Sequence, residues 1–85
     1  MTVTATERRR VTKAFGACLR RLRDAAGMSQ EVLAAEAEAE INRTYPSLLE
    51  RGLRAPTLPI IFAIARVLKV TPAQLVRMVH DEANV

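Results

Sequence analysis

The chain has 85 residues, of which 49% are hydrophobic and 4% aromatic, and its formal net charge is +4. This length predicts one domain whose core consists mainly of aliphatic side chains, as in helical bundles. A single cysteine excludes an intramolecular disulfide and a four-cysteine zinc site, and the absence of an apolar run of about 18 residues argues against a membrane span.

Charged residues alternate in blocks along the chain. Seven basic residues and one acidic residue occur up to Arg23, five acidic residues and no basic residue over 24–40, and three basic residues with one acidic residue over 43–54. In a folded chain, such blocks form either one basic face, as in nucleic-acid binding, or an ordinary solvated helix surface. The N-terminal segment lacks the apolar stretch of a signal peptide, which predicts a cytoplasmic protein.

The first two helices are predicted from apolar spacing and capping residues. A helix over about residues 7–26 has Thr4 as its cap and Gly27 as its stop. Residues 1–10 are predicted to be a basic N-terminal arm or the start of this helix, and residues 11–82 to be a single domain. Ser29 caps the second helix, which runs into the repetitive stretch AEAEAE.

The third predicted helix lies between Asn42 and Arg51 and contains Pro46. Proline removes a backbone N–H, so this helix is expected to begin late, near Thr44 or Tyr45. Arg43 would then lie on the preceding turn.

Two more helices follow a proline-containing loop. Thr57 caps the fourth helix, and Thr71 with Gln74 forms a capping box for the fifth. The apolar positions of the fourth helix are Leu58, Ile61, Phe62, Ile64, Ala65 and Leu68. No strand-like alternation occurs, so the predicted fold class is all-α with five helices.

Three stretches together resemble the Cro/repressor-like (Xre-type) helix-turn-helix family. They are FGACLRRLRDAAGMSQEVLA (15–34), INRTYPSLLERGLRAPTL (41–58) and IFAIARVLKVTPAQL (61–75). Within this family, RTY followed by S looks closest to the controller proteins of restriction–modification systems. The resemblance implies a compact, five-helix, lambda-repressor-like DNA-binding domain, so that residues 11–82 would be a single helix-turn-helix domain.

The resemblance also implies roles for individual residues. Contacts with DNA bases are implied for Arg43, Thr44, Tyr45 and Ser47. Contacts with DNA phosphates are implied for Ser29, Gln30, Asn42, Arg51 and Arg54. Arg23 and Glu50 match a buried ion pair that ties helix one to the end of helix three. Arginine suits base reading because its guanidinium can donate two hydrogen bonds to guanine O6 and N7.

The sequence departs from the family pattern at two places. Between Gln30 and Glu50 the chain has about two extra residues within AEAEAE, so either helix two is longer or the turn bulges. A bulge disturbs the core less, because two more helical residues would rotate everything that follows by about 200°. Pro46 stands where the family has an apolar residue packed inward.

These features predict a sequence-specific transcriptional regulator that binds a palindromic operator on double-stranded DNA as a homodimer. The predicted dimer surface is on the last helix, at Leu75, Val76 and Val79. No catalytic site, metal, cofactor, small-molecule ligand or membrane contact is predicted. Two alternatives are a protein-interaction module of the antitoxin or adaptor kind, and a nucleoid-type protein that binds DNA without sequence preference.

Overall fold

A computed structural model describes residues 2–37, 42 and 44–85. Over these residues the chain forms five α-helices and no strand, so the predicted all-α fold is confirmed. The helices are α1 (Ala5–Ala25), α2 (Gln30–Glu36), α3 (Tyr45–Glu50), α4 (Leu58–Val67) and α5 (Pro72–Ala83). Because α1 begins at Ala5, Arg8–Arg10 belong to its first turns.

Side-chain caps define the start of α1, α2, α4 and α5. The hydroxyls of Thr4, Ser29, Thr57 and Thr71 each accept a hydrogen bond from the backbone N–H three residues later. Each bond satisfies a donor that has no partner within the first helical turn. At α5 the Gln74 side chain also accepts from the Thr71 backbone N–H at 2.8 Å, which completes the predicted capping box.

The helices pack around one central apolar cluster. α1 contacts α3 and α5, α2 contacts α3 and α4, and α4 contacts α5. Each helix contributes one of the five largest fully buried side chains to this cluster, namely Leu19, Leu33, Leu49, Ile64 and Leu75. Pro46 is also fully buried, so it occupies the inward position that the resemblance assigns to an apolar residue.

The extended AEAEAE stretch lies partly outside the described residues. α2 ends at Glu36, and the backbone N–H of Ala37 donates to the Leu33 carbonyl to close the helix. Helix two is therefore not lengthened in the described part of the chain. The prediction of a bulge concerns the rest of this stretch and the turn after it, and residues 38–41 lie outside the described residues.

The predicted dimer surface is wrong for two of its three residues. The side chains of Leu75 and Val79 are 0% and 7% exposed, because both point into the central cluster. A side chain buried in its own core has no surface left for a second copy. Only Val76, which is 48% exposed, is available for such a contact.

Candidate nucleic-acid interface

The start of α3 depends on the side chain of Asn42. Its Oδ1 accepts hydrogen bonds from the backbone N–H groups of Thr44 (3.0 Å) and Tyr45 (3.1 Å) and from the Thr44 hydroxyl (2.9 Å). The helix begins at Tyr45, as the late start predicts, and Pro46 is its second residue. A backbone N–H at that position would have no partner within the helix, so proline is tolerated there.

The beginning of α2 and the exposed side of α3 enclose an open cleft. Its volume is ≈ 390 Å³, and its lining residues are Gln30, Glu31, Thr44, Ser47, Leu48 and Arg51. Gln30 and Arg51 are predicted to contact DNA phosphates, whereas Thr44 and Ser47 are predicted to contact DNA bases. The fold therefore brings members of both predicted sets together on one surface.

The other predicted contact residues lie beside this cleft or outside the described part of the chain. Ser29 and Arg54 are exposed, and Arg43 lies outside the described residues. Tyr45 is half-buried and packs against the core, so only part of its ring is open to a partner. Asn42 is exposed, but its Oδ1 already accepts the bonds that start α3.

Arg23 and Glu50 form an ion pair between the end of α1 and the end of α3. Arg23 Nε lies 2.6 Å from Glu50 Oε2, and Arg23 Nη2 lies 3.0 Å from Glu50 Oε1. The two side chains are 12% and 5% exposed. The hydrogen bond to Glu50 raises the pKa of Arg23 above its ordinary value. The guanidinium therefore stays charged beside the carboxylate.

Gln30 joins this ion pair through a contact that sequence reasoning missed. Its Nε2 donates a hydrogen bond to Glu50 Oε1 at 3.1 Å. Arg23 Nη1 donates to the Met28 carbonyl at 2.7 Å, so the loop before α2 is held as well. Gln30 and Glu50 are 20 residues apart in the chain, and neither periodicity nor capping patterns carry a signal for a contact between them.

Metal sites and membrane spans can be assessed over residues 2–37, 42 and 44–85, which the structure describes. Within these ranges, no group of three or more His, Cys, Asp or Glu side chains is placed to hold a metal ion. No single helix there is long and apolar enough to cross a membrane. Taken together, α4 and α5 have the length and apolar composition of a membrane-spanning segment, but the two helices are bent by 105° relative to each other.

Comparisons with known proteins agree with this arrangement. Residues 14–78 match a protein family that is described as a helix-turn-helix domain. The crystal structure of the clp gene regulator ClgR from Corynebacterium glutamicum is similar in fold, with a TM-score of 0.79 and 23% identity over 87% of this chain and 77% of that chain. The restriction-modification controller protein C.AhdI from Aeromonas hydrophila has a TM-score of 0.70 and 39% identity over 75% of this chain and 94% of that chain. No curated protein matches the chain.

Proposed function

This chain belongs to the helix-turn-helix domain family, as the resemblance predicts, and on that premise we propose that it is a sequence-specific transcriptional regulator. The observation that carries the proposal is the α2–α3 cleft, where Gln30, Thr44, Ser47 and Arg51 meet. The similarity to a restriction-modification controller protein supports a regulator of the same class.

The proposed DNA contacts fall into two sets. Arg43, Thr44, Tyr45 and Ser47 contact base edges and choose the sequence. Ser29, Gln30, Asn42, Arg51 and Arg54 contact phosphates, which adds affinity and fixes the position of the protein on the duplex. The hydroxyls of Thr44 and Ser47 suit either kind of contact, because a hydroxyl both donates and accepts.

Glu50 supports the phosphate contact of Gln30 by orienting its amide. A glutamine amide has two N–H donors, and the bond to Glu50 Oε1 uses one of them. The second donor remains for a phosphate oxygen. The ion pair with Arg23 holds Glu50 in turn, so the start of α2 and the end of α3 are presented to the DNA as one rigid unit.

The regulator acts as a homodimer on a palindromic operator. In helix-turn-helix dimers, the two-fold axis of the protein matches that of the operator, with half-sites about 34 Å apart. Occupancy of such an operator represses transcription by blocking polymerase. The double-stranded DNA is the only partner that this mechanism requires besides the second copy.

The first experiment is selection of duplexes from a random-sequence library, followed by fluorescence anisotropy at two salt concentrations. We expect enrichment of a two-fold repeated sequence, bound about a thousandfold or more tightly than a shuffled duplex. Equal binding of both duplexes that disappears at high salt would overturn the proposal in favour of a non-specific binder. Absence of DNA binding would favour a protein-interaction module.

Three variants separate base reading from phosphate binding in the same assay. Arg43→Ala is expected to lower affinity for the selected duplex by about tenfold to a hundredfold and to relax the preference at one base pair. Arg51→Ala is expected to weaken binding to both duplexes alike. It should also reduce the slope of log affinity against log salt concentration by about one unit. Arg66→Ala, an exposed arginine on α4 outside the cleft, is the control and should leave both affinities unchanged.

A further inference from the structure

A second basic surface lies beyond the α2–α3 cleft, between the first turns of α1 and the loop that follows α3. An open groove there has a volume of ≈ 320 Å³. Three cationic side chains of α1 line it, Arg8, Arg9 and Lys13, and the loop after α3 contributes Gly52 and Leu53. We call this surface the basic groove.

The cations of the basic groove are not part of the helix-turn-helix pattern. The segment that matches the family begins at residue 14, whereas Arg8, Arg9 and Lys13 precede it. The contact roles that the resemblance implies therefore do not extend to these three residues. The groove joins a segment outside the matched range to a loop inside it.

The three cations stand where electrostatics within the chain disfavours them. Arg8 and Arg9 follow closely on the start of α1 at Ala5, near the positive end of the helix dipole. Arg9 and Lys13 are four residues apart on the same helix, so their like charges repel each other. Among the described residues, no carboxylate forms an ion pair with any of the three. Charges that gain nothing from the fold are expected at a surface that binds an anion.

Lys13 connects the basic groove to the α2–α3 cleft. A Cβ atom on Gly52 would lie 3.0 Å from Lys13 Cγ, so the stem of the lysine passes directly over this glycine. Gly52 follows Arg51, which lines the cleft and is proposed to contact a phosphate. The basic groove therefore continues the charged surface of the cleft past the C-terminal end of α3.

The remaining cations extend this surface away from the cleft. Gly16 meets the end of α3 and Lys13 meets Gly52 beyond it, so α1 leads past α3 towards its own N-terminus. Arg9 is four residues, or about 6 Å, beyond Lys13 along the helix axis, which is roughly two base-pair steps of duplex DNA. A DNA backbone that contacts Arg51 can therefore run on into the groove, where a row of cations faces its row of phosphates.

We propose that the basic groove binds the DNA backbone next to the operator half-site, with Arg8, Arg9 and Lys13 as additional phosphate contacts. The inference rests on the proposed function in so far as the ligand is the duplex that the α2–α3 cleft reads. Phosphate contacts carry no base information, so the groove adds affinity and fixes the orientation of α1 on the duplex without changing the preferred sequence.

The test is fluorescence anisotropy of the full chain with the selected and shuffled duplexes at several salt concentrations. The variant Arg8→Gln/Arg9→Gln/Lys13→Gln is expected to bind both duplexes about a hundredfold more weakly at about 0.1 M salt. The slope of log affinity against log salt concentration should fall by about two to three units, since each lost phosphate contact removes about 0.9. The ratio of the two affinities should stay unchanged.

The matched control is Arg66→Gln/Lys69→Gln/Arg77→Gln, which removes the same number of charges from exposed positions of α4, α5 and the turn between them. Its slope should fall by less than about one unit, because salt screens charges that do not contact the duplex. Circular dichroism should show the same helical signal in both variants. If the groove variant loses helical signal, Arg9→Gln and Lys13→Gln decide singly, each with an expected fall of about one unit.

The outcomes separate this inference from the proposed function. An unchanged slope in the groove variant, or equal falls in the groove and control variants, would overturn the inference even if the wild type reads its operator. A fall confined to the groove variant, together with no sequence preference in the wild type, would support the inference and contradict the proposed function. Absence of DNA binding by the wild type would overturn both.

Discussion

The guanidinium of Arg23 connects three segments of the chain. It pairs with Glu50 at the end of α3, while its Nη1 donates to the Met28 carbonyl in the loop before α2. Both charged groups have little contact with water. Loss of either partner would leave a poorly solvated charge without its buried counter-charge, which costs more than the intact pair contributes.

Replacement of Glu50 by glutamine is expected to lower the free energy of unfolding by about 3–5 kcal/mol, because it removes the buried carboxylate and leaves Arg23 only the exposed carboxylate of Asp24, 3.3 Å from its Nη1. The measurement is urea denaturation followed by helical circular dichroism. Glu82→Gln is the matched control: Glu82 lies 2.9 Å from Arg21, but these side chains are 38% and 59% exposed. The control should change stability by at most about 1 kcal/mol, and similar effects in both variants would contradict the expected difference.

At the scale of elements, α1 and α3 approach closely at Gly16. A Cβ atom on Gly16 would lie 2.8 Å from the carbonyl oxygen of Glu50 and closer still to that of Leu49. Both oxygens belong to the backbone at the end of α3, so only a movement of that helix would relieve the clash. The missing side chain at Gly16 therefore determines how α3 sits on α1.

Gly16→Ala is expected to lower the free energy of unfolding by about 1–3 kcal/mol through overpacking, despite the better helix propensity of alanine. It should also weaken binding of the selected duplex, because α3 must shift. The control is Gly27→Ala: Gly27 has φ of +66° and open space around it, so alanine there should cost about 1 kcal/mol in backbone strain without altering DNA affinity. Normal DNA affinity in Gly16→Ala would show that α3 tolerates the added methyl group.

At the scale of the whole molecule, stability depends on one core shared by all five helices. The five largest fully buried aliphatic side chains come one from each helix and belong to the same cluster. α2 and α3 have 7 and 6 residues, lengths at which isolated helices do not persist in water. These two helices are therefore stabilised by packing against the rest of the domain, and the domain should unfold in a single transition.

Leu49→Ala is expected to lower the free energy of unfolding of the entire domain by about 2–5 kcal/mol, since it empties a fully buried position. Leu53→Ala, at a position 59% exposed, should change it by less than about 0.5 kcal/mol. Thermal unfolding followed by circular dichroism compares the two variants. A two-step transition in Leu49→Ala, with the remaining helices intact, would show that the core is divided.

Local signals in the sequence were sufficient for the order and starts of the helices. The hydroxyl caps at Thr4, Ser29, Thr57 and Thr71 act on backbone groups three residues away, so they can be predicted without knowledge of any tertiary contact. The late start of α3 followed in the same way from Pro46. The DNA-contact roles derive from the family resemblance and remain predictions, with Arg43 outside the described residues.

The amino-acid sequence by itself determined that the chain is all-α, where four of its helices are capped and which family it belongs to, because these properties depend on neighbours along the chain. Only the tertiary structure decided that Gln30 bonds to Glu50, that α3 rests on Gly16, and that Phe62 is exposed while Leu75 is buried. Apolar periodicity shows that a helix has an apolar face, but packing against the other helices determines how much of that face is covered.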